Sequence, residues 1–436
     1  MPPNPSRPAT VLVAGIRTPW ARAGGNFAQE DAGHLGALVA RELLARTGVD
    51  PASLDEVIAG CVGPPHDEAN VARVIALRAG VPRGVPAFTV GRNCASGIEA
   101  VTSAATLIES GRASLVLTVG VEVMSRYPLI VGDRFTRLFE RLSRARSPIG
   151  RVATLASFRP SMLKPRIALM EGLTDPVSGL IMGRTAEILA REYGITREDA
   201  DRFALESHRR AKVARDSGRF AKEIVPVLPL GRGTKSLESD DSIRDHQTLE
   251  SLAKLKPYFE RPDGRVTVGN SCGITDGACA ILVASEERAQ ALGLAPMARI
   301  QSFAWTGCDP ARMGLGPVYS TAKALDELGL RLADMETIEI NEAFAAQVLA
   351  CAKAFASPSF AQTELKRGEP LGELDFERTN RNGGAIALGH PVGATGSRLL
   401  LTVATELALR KQRYGLATLC VGGGQGGAVV LERAGA

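Results

Sequence analysis

The sequence predicts an α/β protein built from two related halves packed in layers, with a helical loop domain inserted between them. Three observations predict it. Short apolar runs alternate with longer segments of helical periodicity, the β-α-β rhythm of a mostly parallel sheet with helices on both faces. The same order of elements occurs a second time in the last third of the chain. Between the two occurrences, residues 126 to about 264 break the alternation with charged, helical, Pro-punctuated sequence.

Thr10-Val11-Leu12-Val13-Ala14-Gly15 reads as the first buried strand, and Leu35 to Leu44 as the first helix. Leu54 to Cys61 carries a second strand and Ala87 to Val90 a third. A small-residue helix then runs from Gly97 to Gly111. Leu115 to Gly120 is apolar on both faces, as a central strand must be. In the second half, Ala298 to Phe303 stands for the first strand and Ala322 to Leu328 for the first helix. Counted from Gly48 and Gly329, Ala52 falls in step with Ala333, Leu54 with Met335, Asp55 with Glu336 and Val57 with Ile338. The Gly97 helix and the strand after it are echoed by a Gly396 helix and Leu416 to Cys420. Chance likeness between βαβ units is the alternative to duplication. These limits place the first half at 1–125, completed by about 265–297, the loop domain at 126–264 and the second half at 298–436. Thr267 to Val283 reads as a polar turn feeding a buried strand that returns to the first half.

Composition narrows the function. A chain of 436 residues with 45% hydrophobic residues and 46 glycines suits a packed enzyme and argues against disorder. The Pro-rich opening has no apolar run of a secretory leader, and no stretch approaches the roughly 18 apolar residues of a spanning helix, so a cytoplasmic protein is expected. Seven cysteines without a CxxC pair argue for free thiols and no metal site. A net charge of +5 is too mild for nucleic acid and suits a polyanionic small substrate.

Cys94 sits between the strand Ala87 to Val90 and the Gly97 helix. A helix N-terminus offers unpaired N–H groups and a positive dipole end, which lower a thiol pKa from about 8.5 toward roughly 3.5 to 7.5. A nucleophile fits this turn; so does a buried structural cysteine. Three further loops carry reactive residues beside buried elements: Ile340-Asn341-Glu342-Ala343-Phe344-Ala345, the glycine-rich run from Asn382 to Gly396 around His390, and Leu419-Cys420-Val421-Gly422-Gly423-Gly424-Gln425-Gly426-Gly427. In two packed halves, equivalent strand ends can face one another across a cleft.

Asn-Cys-Ala-Ser-Gly, Asn-Glu-Ala-Phe-Ala, Gly-His-Pro-Val-Gly-Ala-Thr-Gly and Cys-Val-Gly-Gly-Gly-Gln-Gly closely resemble the four active-site blocks of the thiolases. The likeness also covers residues 120–126, 182–187, 252–257 and 313–317, in the family's order along nearly the whole chain. It implies the thiolase fold and a set of roles. Cys94 is the nucleophile of an acyl-enzyme, and His390 takes its proton and hydrogen-bonds the developing alkoxide. Asn341 holds a water at the same oxygen. Cys420 exchanges protons with the acetyl-CoA enolate and the incoming CoA. The backbone N–H groups of Cys94 and Gly422 form a second oxyanion site. The resemblance further implies coenzyme A as cosubstrate with no tightly bound cofactor, and contacts to it from Arg244, Met182, Phe344 and the turn holding Cys272. Arg244 is otherwise an ordinary solvated arginine. The family usually has Ser where this chain has Cys272.

Insertions at 127–178 and 356–378 resemble the thiolase β subunit of trifunctional fatty-acid oxidation complexes, whereas Asn341 stands where that type commonly has His. The activity so implied is thiolytic cleavage of medium-to-long 3-oxoacyl-CoA in β-oxidation. The alternatives are acetoacetyl-CoA formation by an acetyl-CoA acetyltransferase and a non-catalytic scaffold. The family implies a homodimer or dimer of dimers, and the β-type likeness a hydratase/dehydrogenase α partner. Within the first insertion, Phe135, Leu138, Phe139 and Leu142 form an apolar stripe flanked by Arg134, Arg137, Arg141 and Arg144. Such a stripe lies on an anionic membrane or a partner, or packs on its own protein.

Overall fold

The structure, a computed structural model, describes residues 8–231 and 234–436. The opening segment, on which the expectation of no secretory leader rests, lies outside the described residues. In the first half, strands β1 (Thr10–Arg17), β2 (Glu56–Gly60), β3 (Ala87–Val90) and β4 (Leu115–Val123) alternate with helices α1 (Ala32–Thr47), α2 (Val71–Arg78) and α3 (Ser96–Glu109). The segment from 126 onward holds α4 (Asp133–Arg144), α5 (Pro148–Ala156), α6 (Met182–Glu192) and α7 (Arg197–Asp216). Then follow β5 (Thr275–Ser285), β6 (Ala298–Gly307), α8 (Gly316–Leu328), β7 (Thr337–Ile340), α9 (Ala345–Phe355), α10 (Val392–Arg410), β8 (Tyr414–Val421) and β9 (Gln425–Arg433).

These strands share one sheet in the order β7-β8-β9-β6-β1-β5-β4-β2-β3. The expectation of a mostly parallel sheet is wrong. Only β7 with β8, β2 with β3 and β2 with β4 run parallel, and the remaining pairs are antiparallel. The cause is the last strand of each half. β9 leaves β8 through the short turn at Gly422 to Gly424 and must run back beside it, while β5 enters between β1 and β4 antiparallel to both. Apolar runs report burial on both faces, not strand direction.

Alternation along the strands makes the layers. In β4, Leu117, Val119 and Val121 pack under α1 and α2, whereas Val116 faces α3 and α10. In β8, Leu416 and Cys420 face the outer helices α8 and α9, whereas Ala417, Leu419 and Val421 face the same central pair. Helices α3 and α10 therefore lie between two half-sheets, with α1 and α2 outside one and α8 and α9 outside the other. All sixteen residues from Val392 to Leu407 of α10 are buried.

The duplication is visible in detail. Gly48 and Gly329 both end their helices in the left-handed region, at φ 67° and 64°. Val57 pairs with Leu117 and Ala87, and its counterpart Ile338 pairs with Leu416 and Thr379. Strand β5 pairs with β1 and β4, so it does return to the first half. The apolar stripe on α4 largely packs on its own lobe, with Leu138 buried and Phe135 and Leu142 half-buried; Phe139 alone of the four is exposed. Among the described residues, no helix is long and apolar enough to cross a membrane. All seven cysteines are free thiols.

Candidate active site

The site forms where the starts of α3 and α10 cross. Two glycines permit the contact: a Cβ at Gly97 would stand 2.6 Å from the Ser397 nitrogen, and one at Gly396 2.5 Å from the Ile98 nitrogen. Cys94 lies two residues before α3, in a turn where Asn93 takes φ 43°, a conformation Asn tolerates better than most residues. Asn93 Nδ2 donates to the Gly422 carbonyl at 2.7 Å, which pins this turn to the β8–β9 turn of the other half.

The Cys94 thiol was expected to be acidic; it is pushed up to about 11 instead. Burial is the largest cause, and the N–H groups of Gly422 and Cys94 itself pull the other way without reversing it. A helix start with a few small neighbours does not offset removal of the sulfur from water. The structure therefore sets a neutral thiol between the two N–H groups.

His390 enters from the start of α10, after Gly389 at φ 100°. Thr395 Oγ1 donates its proton to the Pro391 carbonyl at 3.0 Å, so at 2.6 Å from His390 Nδ1 it can only accept. Nδ1 thus carries the imidazole proton and Nε2 carries the lone pair. Asn341 Nδ2 lies 3.4 Å from Nε2 and donates to it. Burial, then the nearby Arg398 cation, lower His390 to about 3, which keeps the ring neutral. Asn341 Oδ1 is buried and accepts from no group among the described residues.

Cys420, near the end of β8, is pushed well above the ordinary thiol range by burial and then by the neighbouring thiols Cys94, Cys351 and Cys272. Cys272 is raised to about 12 for the same first reason, with Cys94 next. The turn carrying Cys272 is fixed on both sides: Ser271 bridges Phe344, Cys272 N–H donates to the Ala343 carbonyl at 3.1 Å, and His390 N–H donates to the Gly273 carbonyl at 3.2 Å. Cys272, His390, Met182 and Phe344 line one cavity of about 460 Å³, walled mainly by apolar groups. Met182 also covers Gly422, where a Cβ would lie 3.3 Å from its sulfur.

Residues 10–287 match the thiolase N-terminal domain and residues 294–433 the thiolase C-terminal domain. The chain belongs to the thiolase family. This thiolase is 43% identical over 425 residues to an acetyl-CoA acetyltransferase of Pseudomonas aeruginosa, covering 97% of the chain and 99% of that protein. It is 37% identical over 423 residues to a 3-ketoacyl-CoA thiolase of Yersinia enterocolitica, covering 97% and 96%. The crystal structure of human mitochondrial 3-ketoacyl-CoA thiolase in complex with CoA superposes with a TM-score of 0.84 at 36% identity, over 98% of each chain. The thiolase is accordingly an acyltransferase.

One predicted contact stands apart from the rest. Arg244 lines a smaller cavity of about 180 Å³ with Arg22, His208 and Ser242, which adjoins the first through Val268, Ser271, Gly273 and Ile274. Burial first, then Arg22, lower the Arg244 guanidinium. Two groups of the thiolase site went unread in the sequence. Thr395 lies within the quoted His390 block, and its spacing of five residues across a helix start was the available signal. Glu122, buried at the end of β4, accepts from the N–H groups of Val62, Gly63 and Gly393 at 3.0 Å each and so ties the first half to the start of α10. It lies within the likeness at 120–126, but its role is not legible there, because its donors come from two distant segments, Val62-Gly63 and Gly393.

Proposed function

We propose that this thiolase degrades 3-oxoacyl-CoA by CoA-dependent thiolysis, with medium-to-long acyl chains as substrates in fatty-acid β-oxidation. The observation that carries the reading is the neutral imidazole of His390, held by Thr395, whose unprotonated Nε2 meets only the Asn341 amide at 3.4 Å and is the nitrogen left to take a proton, in one site with the half-buried thiol Cys94 and the buried thiol Cys420. Cys94 gives its proton to His390 Nε2 as its sulfur attacks the 3-keto carbon. A thiol near 11 beside an imidazole near 3 makes a standing ion pair unfavourable, so transfer accompanies attack. The new alkoxide takes a hydrogen bond from His390 and from a water held by Asn341. The C2–C3 bond breaks, and the enolate takes a proton from Cys420, which leaves acetyl-CoA and an acyl thioester on Cys94. Cys420 then removes the proton of the CoA thiol, whose sulfur attacks the thioester. The N–H groups of Cys94 and Gly422 stabilise the oxyanion, and the shortened acyl-CoA departs as His390 returns the proton to Cys94.

In this reading residues 126–264 act as the loop domain between halves at 1–125, completed by 265–297, and 298–436. CoA is the cosubstrate. Its pantetheine lies along Met182, Phe344 and Cys272, its nucleotide beside Arg244, and the protein works in the cytoplasm as a homodimer. The second reading, synthesis of acetoacetyl-CoA, is supported by relatives named acetyl-CoA acetyltransferase. Loss of the magnesium-enolate absorbance of 3-oxoacyl-CoA, followed with free CoA from acetoacetyl-CoA to long-chain substrates, separates them. Rates that rise with chain length are expected. Cleavage confined to acetoacetyl-CoA establishes the second reading, and none at all sinks both.

A further inference from the structure

Helix α10 is buried from Val392 to Leu407, yet it carries Arg398 in the middle of that run, 1% exposed. The Arg398 Nη1 donates to the carboxylate of Glu339 on β7, itself 2% exposed. Alternation along β7 turns Ile338 and Ile340 toward the outer helices and Glu339 toward the layer where α10 lies. Asn341 follows two residues later, just past the end of that strand. Among the described residues, this is the one side-chain ion pair or hydrogen bond that joins α10 to β7.

Stability alone does not account for a charge pair here. Taking both ions out of water offsets most of their attraction, and well-packed apolar residues of similar volume serve the fold as well or better. What the pair adds is a fixed separation. Its Arg398 end is held, because the guanidinium lies 5.8 Å from the centroid of the fully buried Trp20 ring, against which Arg17 stands at 5.4 Å. Trp20 in turn rests on Gly277, where a Cβ would stand 2.2 Å from the indole. The Glu339 end is where restraint is needed. Strand β7 is the last in the sheet order, with a ladder to β8 on one side and on the other the single bridge from Ile338 to Thr379. Burial raises the Glu339 carboxyl, and the Arg398 cation pulls it back.

We propose that the buried pair Arg398–Glu339 sets the separation of Asn341 from His390, which makes Arg398 and Glu339 positioning residues for the alkoxide of the proposed reaction. His390 is placed by the crossing of α3 and α10 and by Thr395, whereas Asn341 arrives on β7 from outside that crossing. Without the pair, β7 can shift against α10 while the thiol and the imidazole stay together. The Asn341 amide then leaves its place 3.4 Å from His390 Nε2, and the water that it holds leaves with it. The inference rests on the mechanism proposed above and not on acyl-chain length.

Two reactions of the full chain separate this role from a loss of folding. Cleavage of acetoacetyl-CoA by CoA passes through the alkoxide at His390 and Asn341. Exchange of labelled CoA into acetyl-CoA acylates and deacylates Cys94 through the oxyanion site of Cys94 and Gly422, and breaks no carbon–carbon bond. Arg398→Met, Glu339→Gln and the two together should each lower kcat for cleavage by roughly 10- to 100-fold, the scale of a misplacement of about 1 Å, while exchange keeps the parent rate. Because one contact is lost in all three, the double variant should lose no more than the worse single. The double variant also leaves no charge buried alone, so it reports on the pair even where a single variant folds poorly. A parent that cleaves nothing overturns the proposed reaction and this inference with it. Where the parent cleaves, three results in the double variant overturn the inference alone: unchanged cleavage, cleavage and exchange lowered alike, or a loss equal to the product of the two single losses.

Discussion

The two halves carry the same elements and finish their sheets differently. In the first half, β3 stands at the end of the sheet order with Phe88 37% exposed. In the second, the place beside β7 is taken by a single bridge from Thr379 to Ile338, and the insertion before it lays the buried side chains Phe360, Leu371 and Leu374 against the same core. At the centre the halves are alike: each supplies one helix start and one strand end to the site. What is held constant is the crossing of α3 and α10, because close backbone approach at Gly97 and Gly396 leaves no slack. The outer edges are free to diverge. The centre also divides labour, since one helix start carries a thiol and the other an imidazole.

The largest effects should come from breaking that division. Cys94→Ala is expected to lower kcat by at least about 10⁴-fold, since no other group can carry the acyl chain. Cys420→Ala should lose turnover to a similar degree yet still take up label from an acyl-CoA, because a CoA thiolate can leave Cys94's tetrahedral adduct without the proton that Cys420 supplies. Acid-precipitated protein retaining acyl label in the second variant and not in the first is the expected result; label in neither would remove the separate roles. The high thiol pKa adds a sharper form. Alkylation of Cys94 in the free enzyme should accelerate close to tenfold per pH unit from about pH 7 to 9, without a plateau, as a mostly protonated thiol requires.

A smaller effect is expected one residue removed from the chemistry. Thr395 touches no reacting atom in the proposed reaction; it sets which ring nitrogen of His390 carries the proton. Thr395→Ala should reduce kcat by roughly 10- to 100-fold and Thr395→Ser should restore most of it, as for other groups that orient a functional histidine. Equal losses in both variants would show that the methyl packing matters and the hydroxyl does not.

Much of this architecture could be read from the chain, and the exceptions share a cause. Strand positions and the duplicated register follow from short-range patterns, whereas the expectation that Cys94, His390 and Cys420 converge came from the duplication and the family likeness. Strand direction did not follow, because β5 and β9 are placed by long-range pairing that leaves no local periodicity. The acidity of Cys94 was misjudged for the same reason. Its helix start is written in the sequence, whereas the burial that outweighs it is assembled from both halves. On the inserted lobe, the apolar stripe of α4 was legible, and of the readings it allowed, packing on its own lobe is the one that Leu138, Phe135 and Leu142 follow, since only packing decides which apolar residues stay outside.

The unequal sheet edges give the next test. The open edge of β3 is the surface through which we expect the proposed homodimer to form, so Phe88→Asp, which sets a charge on that edge, should weaken association without unfolding the chain. Light scattering across a dilution series should show the monomer appearing at concentrations about 10- to 100-fold higher than for the parent, the scale of losing one apolar interface anchor. An unchanged dimer would move the interface elsewhere.

The smallest expected effect is a slope. His390 is lowered to about 3 and His208 to about 4, in both cases first by burial, and each ring nitrogen facing a donor is already occupied: Asn341 donates to one and the Arg244 N–H to the other at 3.2 Å. Unfolding returns both rings to a pKa near 6.5. Between that value and the folded pKa, the unfolded state therefore binds protons that the folded state refuses. Stability from these residues is fully present above about pH 6.5 and is lost as the pH falls, by up to about 1.4 kcal/mol per pH unit for each ring. The urea midpoint of His390→Gln should consequently fall less steeply than that of the parent between about pH 6 and 4. Parallel curves would mean that His390 is already protonated in the folded protein, and the centre would then hold two charged helix starts instead of a thiol facing a base.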